Sequence, residues 1–293
     1  MEEQLHSLNA QTYENMEILI YDDCPEAPCD PDIFKQCLPD KKYRILPSKK
    51  ENVGYTKAFE YLVQSSKGKY VAFCDQDDIW DQTKIEKCVC CMKKDHTLLV
   101  ATDRKLINAE GHVYCDSVRH RQSRPWEQWH TYDDIGVKNF FATCAPGMCL
   151  MAEGDFVRQT VPFSTETGHD KWIIACACAC GQVSFLDEPL SFYRRYGKNV
   201  SGIMKGISTK EEYKQQRILP HLRLIEEVQQ KYPQYPGTQT ALTFARARAK
   251  GNMLGMLRGW KINPDLVAFE CVLSLLPAAV ANRLIHFLKT RAQ

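Results

Sequence analysis

The chain has 293 residues, of which 44% are apolar and 25% charged, with a formal net charge of +2. That length permits one large domain or two smaller ones around a sizeable core. The near-neutral charge excludes the strong basic bias of a general nucleic-acid binder.

There are 14 cysteines. The start, Met1-Glu2-Glu3-Gln4, is acidic and polar rather than basic and then apolar, so no secretory leader is expected. Neither Cys88, Cys90 and Cys91 nor Cys176, Cys178 and Cys180 has the paired spacing of a structural zinc site. They read as reduced thiols packed as small apolar residues, which implies a cytoplasmic location.

In chain order, Glu17 to Tyr21 reads as a strand ending in Asp22-Asp23, and Tyr43 to Leu46 as a second. Gly54 to Gln64 reads as a helix, closed by Gly68. Lys69 to Cys74 is a third strand, ending in Asp75-Gln76-Asp77-Asp78. A helix follows with Ile85, Val89 and Met92 on one face and Asp81 as N-cap. Leu98 to Ala101 is a further strand, and Arg119 to Trp129 a surface loop. Met148 to Ala152 and Val183 to Leu186 read as strands on either side of a helix from Lys171 to Cys180. Strands alternating with helices imply a mostly parallel sheet covered on both faces. From Ser208 the pattern is helical, with Leu222, Ile225, Val228 and Tyr232 on one face. The apolar tract Leu266 to Leu288 is broken by Glu270, Pro277, Arg283 and His286, too often for a spanning helix. It reads either as a packed helical hairpin or as a helix lying on a membrane surface.

In an open α/β sheet, ligands bind beyond the carboxyl ends of the strands. Asp22-Asp23 and the group Asp75, Asp77 and Asp78 lie there. Crowded carboxylates repel unless they are solvated or neutralised by a cation. Mg²⁺ and Mn²⁺ are hard ions that take one or two carboxylates and complete their shell with substrate phosphates. A solvated acidic turn is the plain alternative.

The flanks of these aspartates resemble the family 2 glycosyltransferases of the GT-A fold, from about Glu2 to Gly202. The resemblance rests on Ile18-Leu19-Ile20-Tyr21-Asp22-Asp23, on Asn52-Val53-Gly54 with Lys57, and on Tyr70 to Trp80, which reads YVAFCDQDDIW. Gly168-His169-Asp170-Lys171-Trp172, Asp187-Glu188-Pro189-Leu190, Tyr193-Arg194 and Gly197 to Gly202 follow in the family's order. The subgroup most resembled is the rhamnosyltransferase-like enzymes of bacterial surface polysaccharide assembly.

The resemblance implies an α/β, Rossmann-like GT-A domain with a mixed, mostly parallel sheet over residues 1–202. Residues 1–105 would form its nucleotide-binding half and 106–202 its acceptor-binding half, with a helical extension over 203–293. It implies that Asp22 or Asp23 contacts the nucleoside base, alongside Asn52 and Gly54, with Lys57 near the base or diphosphate. Asp75 would contact the ribose or the Mn²⁺ or Mg²⁺ ion, Asp77 would be the main metal ligand, and Asp78 would hydrogen-bond around the site. Asp170 would be the general base, or a helix cap, or both. Trp172 would shape the sugar pocket or belong to the core, and Arg194 would meet a phosphate or stand at the surface. The donor would be a dTDP- or UDP-sugar and the acceptor a lipid-linked saccharide or polysaccharide. The location would be cytoplasmic, with peripheral contact at the inner membrane face through the C-terminal helices.

The sequence departs from the family in three places. The family opens with a strand of the type V-S-V-I-I-P-T-Y-N, whereas this chain begins within the following helix. The first strand is thus expected to be missing, and a truncated, inactive sugar-nucleotide binder is the alternative reading. Tyr196 stands where relatives often carry His, and Cys24 where they often carry Gly. A nucleoside-triphosphatase is disfavoured by the lack of a P-loop pattern, and a metal phosphohydrolase by the lack of partner histidines for His169-Asp170.

Overall fold

The run Leu99-Val100-Ala101 is apolar without alternation, which suits a strand covered on both faces. In the computed structural model, which describes residues 1–122, 125–195 and 206–291, it is the start of the central strand. The strands are β1 (Glu17–Ile20), β2 (Lys42–Ile45), β3 (Tyr70–Ala72), β4 (Ile79–Trp80), β5 (Leu99–Ile107), β6 (Val113–Cys115), β7 (Leu150–Glu153) and β8 (Val183–Arg194). Along β5, Leu99 and Ala101 join one core cluster while Val100 joins the other, as the two-residue period of a strand requires. β7 repeats the pattern, with Leu150 and Ala152 on the first side and Met151 on the second.

The fold class is as expected, a mixed α/β sheet flanked by helices. Six strands run in the order β3-β7-β5-β8-β4, with β6 paired to β5. The balance of directions differs from the expectation. Only β1–β2 and β5–β8 are parallel, while β3–β7, β5–β7, β4–β8 and β5–β6 are antiparallel. The antiparallel pairs come from β7, which lies between β3 and β5, and from the short strands β4 and β6. The parallel pair β5–β8 runs on far beyond the short apolar runs at the starts of its strands. Their polar continuations, out to Ile107 and Arg194, pair with each other through two register shifts. β1 and β2 form a separate two-stranded sheet, and among the described residues no strand bridges β1 and β3.

One core lies between the sheet and the helices His169–Cys180, Leu219–Lys231 and Gly237–Ala249. Trp172 to Ala177 are all buried there, so this helix is apolar all round and its Cys176 acts as a small hydrophobe. The other core packs the helices Glu2–Asn9 and Lys84–Asp95 on the opposite face through Leu5, Leu8, Ile85, Val89 and Met92. All fourteen cysteines are free thiols, and burial pushes those of Cys88 and Cys144 up to about 12.

The segment expected as a surface loop from Arg119 to Trp129 is instead pinned at both ends. Arg119 donates its main-chain N–H to Asp103 (3.1 Å) and Nη1–H to the Glu127 carbonyl (2.7 Å). Arg104 holds the Glu127 carboxylate with two hydrogen bonds of 2.9 and 3.1 Å. Trp129 is 1% exposed, and its indole donates to the Cys144 carbonyl at 3.2 Å. Charge in that segment is spent on buried pairs with β5, which a composition of Arg and Trp does not disclose.

The C-terminal region is all helical. Pro264–Leu275 and Ala278–Arg291 form a hairpin broken at Leu276-Pro277, and no described helix is long and apolar enough to cross a membrane. A buried polar knot fixes it to the helix Gly237–Ala249. Arg248 donates to both Glu270 oxygens (2.8 and 2.6 Å), and Tyr213 adds a third bond to Glu270 (2.8 Å). Both side chains of the ion pair are almost wholly buried. Removing one partner of such a pair strands a charge and costs about 3–5 kcal/mol, while replacing both by apolar groups is often neutral. Glu270→Ala should therefore lower unfolding stability by about that amount, and Arg248→Met with Glu270→Leu should recover most of it. Urea unfolding followed by circular dichroism reads both, and a wild-type midpoint for Glu270→Ala would refute the assignment.

Candidate active site

Just past the end of β3, the chain turns through Asp75, Gln76, Asp77 and Asp78 before β4. The turn is held from behind by the last residue of β8. The Arg194 N–H donates to Asp78 Oδ1 (3.0 Å), and its guanidinium donates to the carbonyls of Asp77 (2.9 Å), Asn108 (3.2 Å) and Ala109 (2.8 Å). The same guanidinium pairs with Glu3 of the first helix at 2.6 Å. Arg194 was expected either at a phosphate or at the surface. It is buried and committed to these backbone and carboxylate groups, so its place is that of a clamp on the turn.

Asp75 and Asp78 both hold their protons far above the ordinary carboxylate range. Burial, then Asp77, then Asp170 push the Asp75 carboxyl up to about 7, and only Lys84 opposes them. Asp78 is pushed up to about 8 by burial against the Arg194 hydrogen bond, with Asp75 and Asp77 adding to the rise. Its Oδ2 is buried with no hydrogen-bond partner. Lys84 lies fully buried beneath the turn. Its ammonium donates to the Met148 carbonyl and to Ser191 Oγ (2.9 Å) and sits 3.7 Å from the centre of the Trp80 ring. Desolvation lowers its proton affinity while Asp78 is among the groups that raise it.

Asp170 faces this turn from the first turn of the helix His169–Cys180. Its Oδ1 accepts the Lys171 N–H at 2.7 Å, and Gly168 is the N-cap, without a side-chain bond. A β-carbon on Gly168 would stand 2.7 Å from Asp170 Oδ1 and 3.2 Å from the Tyr55 hydroxyl, so this glycine leaves room for both oxygens. Burial raises the Tyr55 phenol, with Asp170 and, less strongly, Asp75 adding to it. His169 is buried against Phe59, Phe73 and Tyr55, with ring centroids 4.1, 5.3 and 6.2 Å away. Neither of its ring nitrogens has a partner, and burial lowers its proton affinity to about 4, so it is neutral.

The other expected residues gather around the loop before the helix Tyr55–Ser65. Asp23 accepts the N–H groups of Val53 and Gly54 (both 2.8 Å), and Asn52 donates to the Asp23 carbonyl (2.6 Å). Gly54 has φ +81°, a conformation that strains any side chain. Asp22 accepts from Cys24 and Cys29 (2.9 and 2.7 Å). Lys57 pairs with Glu60 at 3.1 Å. Trp172, expected either in the sugar pocket or in the core, is a core residue. It is 3% exposed and donates its indole N–H to the Thr160 carbonyl at 3.0 Å. Asp81, expected as N-cap, holds Thr83 instead, and Thr83 is the cap residue. Tyr196 and Gly197 to Gly202 lie outside the described residues.

Tyr55, Lys84 and Glu3 were missed in the sequence. Lys84 carried a signal, because Lys84, Cys88 and Met92 recur every four residues on the buried face of one helix. Among the described residues no three Cys, His, Asp or Glu side chains form a ready-made metal cage. Asp75 and Asp77 instead suit an ion whose shell is completed by phosphate oxygens. Burial first, and then repulsion from Asp77, raises the Asp75 carboxyl, and a bound cation would offset both.

Residues 1–156 match the family model for glycosyl transferase family 2. An uncharacterised glycosyltransferase of Nostoc sp. is 24% identical over 216 residues, 72% of this chain and 66% of that protein. The chain thus spans just under two-thirds of that relative, and 19% of an uncharacterised Rickettsia felis glycosyltransferase that is 33% identical over 116 residues. A putative teichuronic acid biosynthesis glycosyltransferase of Bacillus subtilis is 28% identical over 145 residues, 49% of this chain and 54% of that protein. In fold, the chain resembles S. aureus TarS 1–349 in complex with UDP-GlcNAc, with TM-score 0.60, 14% identity, 86% of this chain and 71% of that one. It also resembles a Pyrobaculum calidifontis mannosyltransferase in complex with GDP-Man and Mn²⁺, with TM-score 0.55, 13% identity, 99% of this chain and 76% of that one.

The raised carboxyls fix the sign of a pH effect. A carboxyl that holds its proton more tightly when folded costs stability once ionised. For Asp75 and Asp78 the cost is full above about 8 and fades as pH falls through about 7 toward the ordinary 3.8. Without divalent cation, Asp75→Asn should therefore raise the melting temperature at pH 8.5 and have little effect at pH 4.5. Mn²⁺ with UDP, which needs ionised carboxylates, should stabilise the wild type more at pH 8 than at pH 6. Differential scanning fluorimetry tests both, and a Mn²⁺ shift larger at pH 6 would contradict the geometry.

Proposed function

The chain belongs to glycosyl transferase family 2, and we propose that it transfers a sugar from a nucleotide-sugar donor with inversion at the anomeric carbon. The observation that carries this reading is that Asp77 of the turn and Asp170 of a distant helix both act on the Asp75 carboxyl, with the Tyr55 hydroxyl beside Gly168. The loop Asn52–Gly54, strapped to Asp23, would receive the nucleoside, with Asp22, Asp23 and Lys57 at its edge. Asp75 and Asp77 would hold a Mn²⁺ or Mg²⁺ ion against the donor diphosphate, where its charge stabilises the departing nucleoside diphosphate.

The remaining steps fall to the chain's own side chains. Asp170 accepts the proton of the acceptor hydroxyl as that oxygen attacks the anomeric carbon. The bond from the anomeric carbon to the diphosphate oxygen breaks in the same displacement, so no covalent enzyme intermediate forms. Arg194 and Lys84 keep the acidic turn in place from behind, and Asp78 receives one of those holds. The two halves, residues 1–105 and 106–202, divide donor and acceptor binding, with residues 203–293 as a helical extension.

Likeness to the rhamnosyltransferase-like subgroup makes dTDP-rhamnose the first donor to test. UDP-hexoses follow, in keeping with the UDP-GlcNAc and GDP-Man complexes of the structural neighbours. A lipid-linked saccharide or polysaccharide at the cytoplasmic membrane face is the acceptor class, in line with the teichuronic acid assignment of the Bacillus relative. The unbridged gap between β1 and β3 favours a second reading, binding of the donor without turnover.

A panel of nucleotide sugars, screened for Mn²⁺-dependent thermal shift and donor hydrolysis, separates the two. The expected donor gives both signals. Asp77→Ala should lose both, and Asp170→Asn should keep the shift while transfer falls by about a hundredfold or more. A shift without turnover in the wild type would select the second reading, and unaltered turnover in Asp77→Ala would defeat the first.

A further inference from the structure

The outer side of the C-terminal region carries apolar side chains where a surface helix ordinarily carries polar ones. Residues 250–261 read KGNMLGMLRGWK. The helix Met253–Arg258 and the turn after it expose Met253, Leu254, Leu257 and Trp260, with Leu254 74% and Trp260 49% accessible. The inner side is built from glycine. A β-carbon on Gly255 would lie 2.7 Å from the Ala247 β-carbon, and one on Gly259 would enter the Phe244 ring. Met256 alone among the large side chains of the segment is buried. Small residues therefore face the protein and large apolar ones face out. Val272, Leu275 and Val280 of the neighbouring hairpin are exposed as well.

Charge identifies the occupant. Lys250, Arg258 and Lys261 are exposed in the same segment, which holds no acidic residue. From residue 246 to the end there are eight Lys and Arg against two acids, and one of those, Glu270, is buried with Arg248. The 245 residues before it are net acidic. Beside Lys261 opens a cavity of about 250 Å³ lined also by Trp126, Lys138 and Asp265, two ammonium groups against one carboxylate. A self-association face built on this segment would bring copies of the same cations together without a counter-charge. Leu and Trp side chains rimmed by Lys and Arg are instead the pattern that inserts into the headgroup region of an anionic bilayer.

We infer that residues 250–261, with the exposed side of the hairpin, form a docking surface for an anionic lipid bilayer. Leu254, Leu257 and Trp260 enter the interface, and Lys250, Arg258 and Lys261 meet lipid phosphates. This surface would hold the chain at the place where a lipid-linked acceptor is found, but it stands on observations separate from the reaction proposed above.

The test is co-sedimentation of the full chain with vesicles of phosphatidylcholine alone or with a quarter phosphatidylglycerol, at low and high salt. Binding is expected to the anionic vesicles and to weaken with salt. Leu254→Asp with Leu257→Asp should weaken it by about tenfold or more, with an unchanged melting temperature, because both side chains are exposed. Arg258→Glu with Lys261→Glu should abolish the preference for anionic lipid. Equal binding by the leucine variant would overturn the inference, as would absence of binding by the wild type. Lipid-independent dimerisation, lost in the leucine variant, would overturn it in favour of a second copy. Vesicle binding does not read catalysis, so an inactive Asp77→Ala that still binds vesicles would leave this surface standing.

Discussion

Asp77 and Asp170 both repel the buried Asp75 carboxylate, and much of the surrounding structure keeps the acidic turn in place. Water would relax the repulsion if the turn were free to swing outward. It is not free, because Arg194 grips it through the Asp77 carbonyl and the Asp78 carboxylate and is itself anchored to Glu3 and to the turn after β5. Lys84, fully buried, supplies a compensating positive charge to Asp75 and Asp78. It does not cancel the cost of burying Asp75, whose carboxyl stays raised to about 7.

The clamp also explains why β5 and β8 are long. A strand that stopped at Leu186 would end well short of the acidic turn. By continuing to Arg194, β8 delivers a guanidinium and a main-chain N–H to the turn and pairs with β4 immediately after it. Two register shifts in the β5–β8 ladder, around Thr102 to Arg104, adjust the path. The same stretch of β5 carries Asp103 and Arg104, which bind Ser117, Arg119 and Glu127 of the following segment. Asp103 and the two terminal nitrogens of Arg104 are thus paired, as burial favours, while Thr102 Oγ1 and Arg104 Nε are buried without a hydrogen-bond partner.

This is also where sequence pattern stopped being informative. Apolar runs located the first third of β5 and of β8 and all of β1 and β3, because an apolar stretch packed against a core leaves a recognisable composition. Past Ala101 and Leu186 the strands become charged, and a pattern of Asp, Arg and Lys looks the same in a loop as in a strand whose charges are paired. The acidic turn stood out in the sequence as a place where carboxylates crowd, while Asp170 and the Asn52–Gly54 loop were singled out by family resemblance, since an acid near a helix start is as readily a cap. Tyr55 was not singled out, because what gives it a place is an oxygen-sized space left by Gly168, more than a hundred residues away. Trp172 and Arg194 were open to two readings each for a related reason. Residue type announces what a side chain can contact, while its neighbours in space decide what it does contact.

The loop beneath the expected nucleoside shows the same economy in another form. Asn52-Val53-Gly54 has too little side chain to pack, so its position is set by hydrogen bonds to Asp23. A carboxylate that accepts two backbone N–H groups cannot also swing freely toward a ligand. Asp23 therefore acts first as a strap, and Asp22 likewise holds the turn from Cys24 to Cys29. The strap fixes the start of the helix that carries Tyr55, and through it the spacing between the donor loop and the Asp170 carboxylate. Rigidity at the Asn52–Gly54 loop is thus obtained from short polar contacts, while behind Asp170 it comes from the buried run Lys171 to Ala177. The two kinds of support meet where Tyr55 and Asp170 flank Gly168.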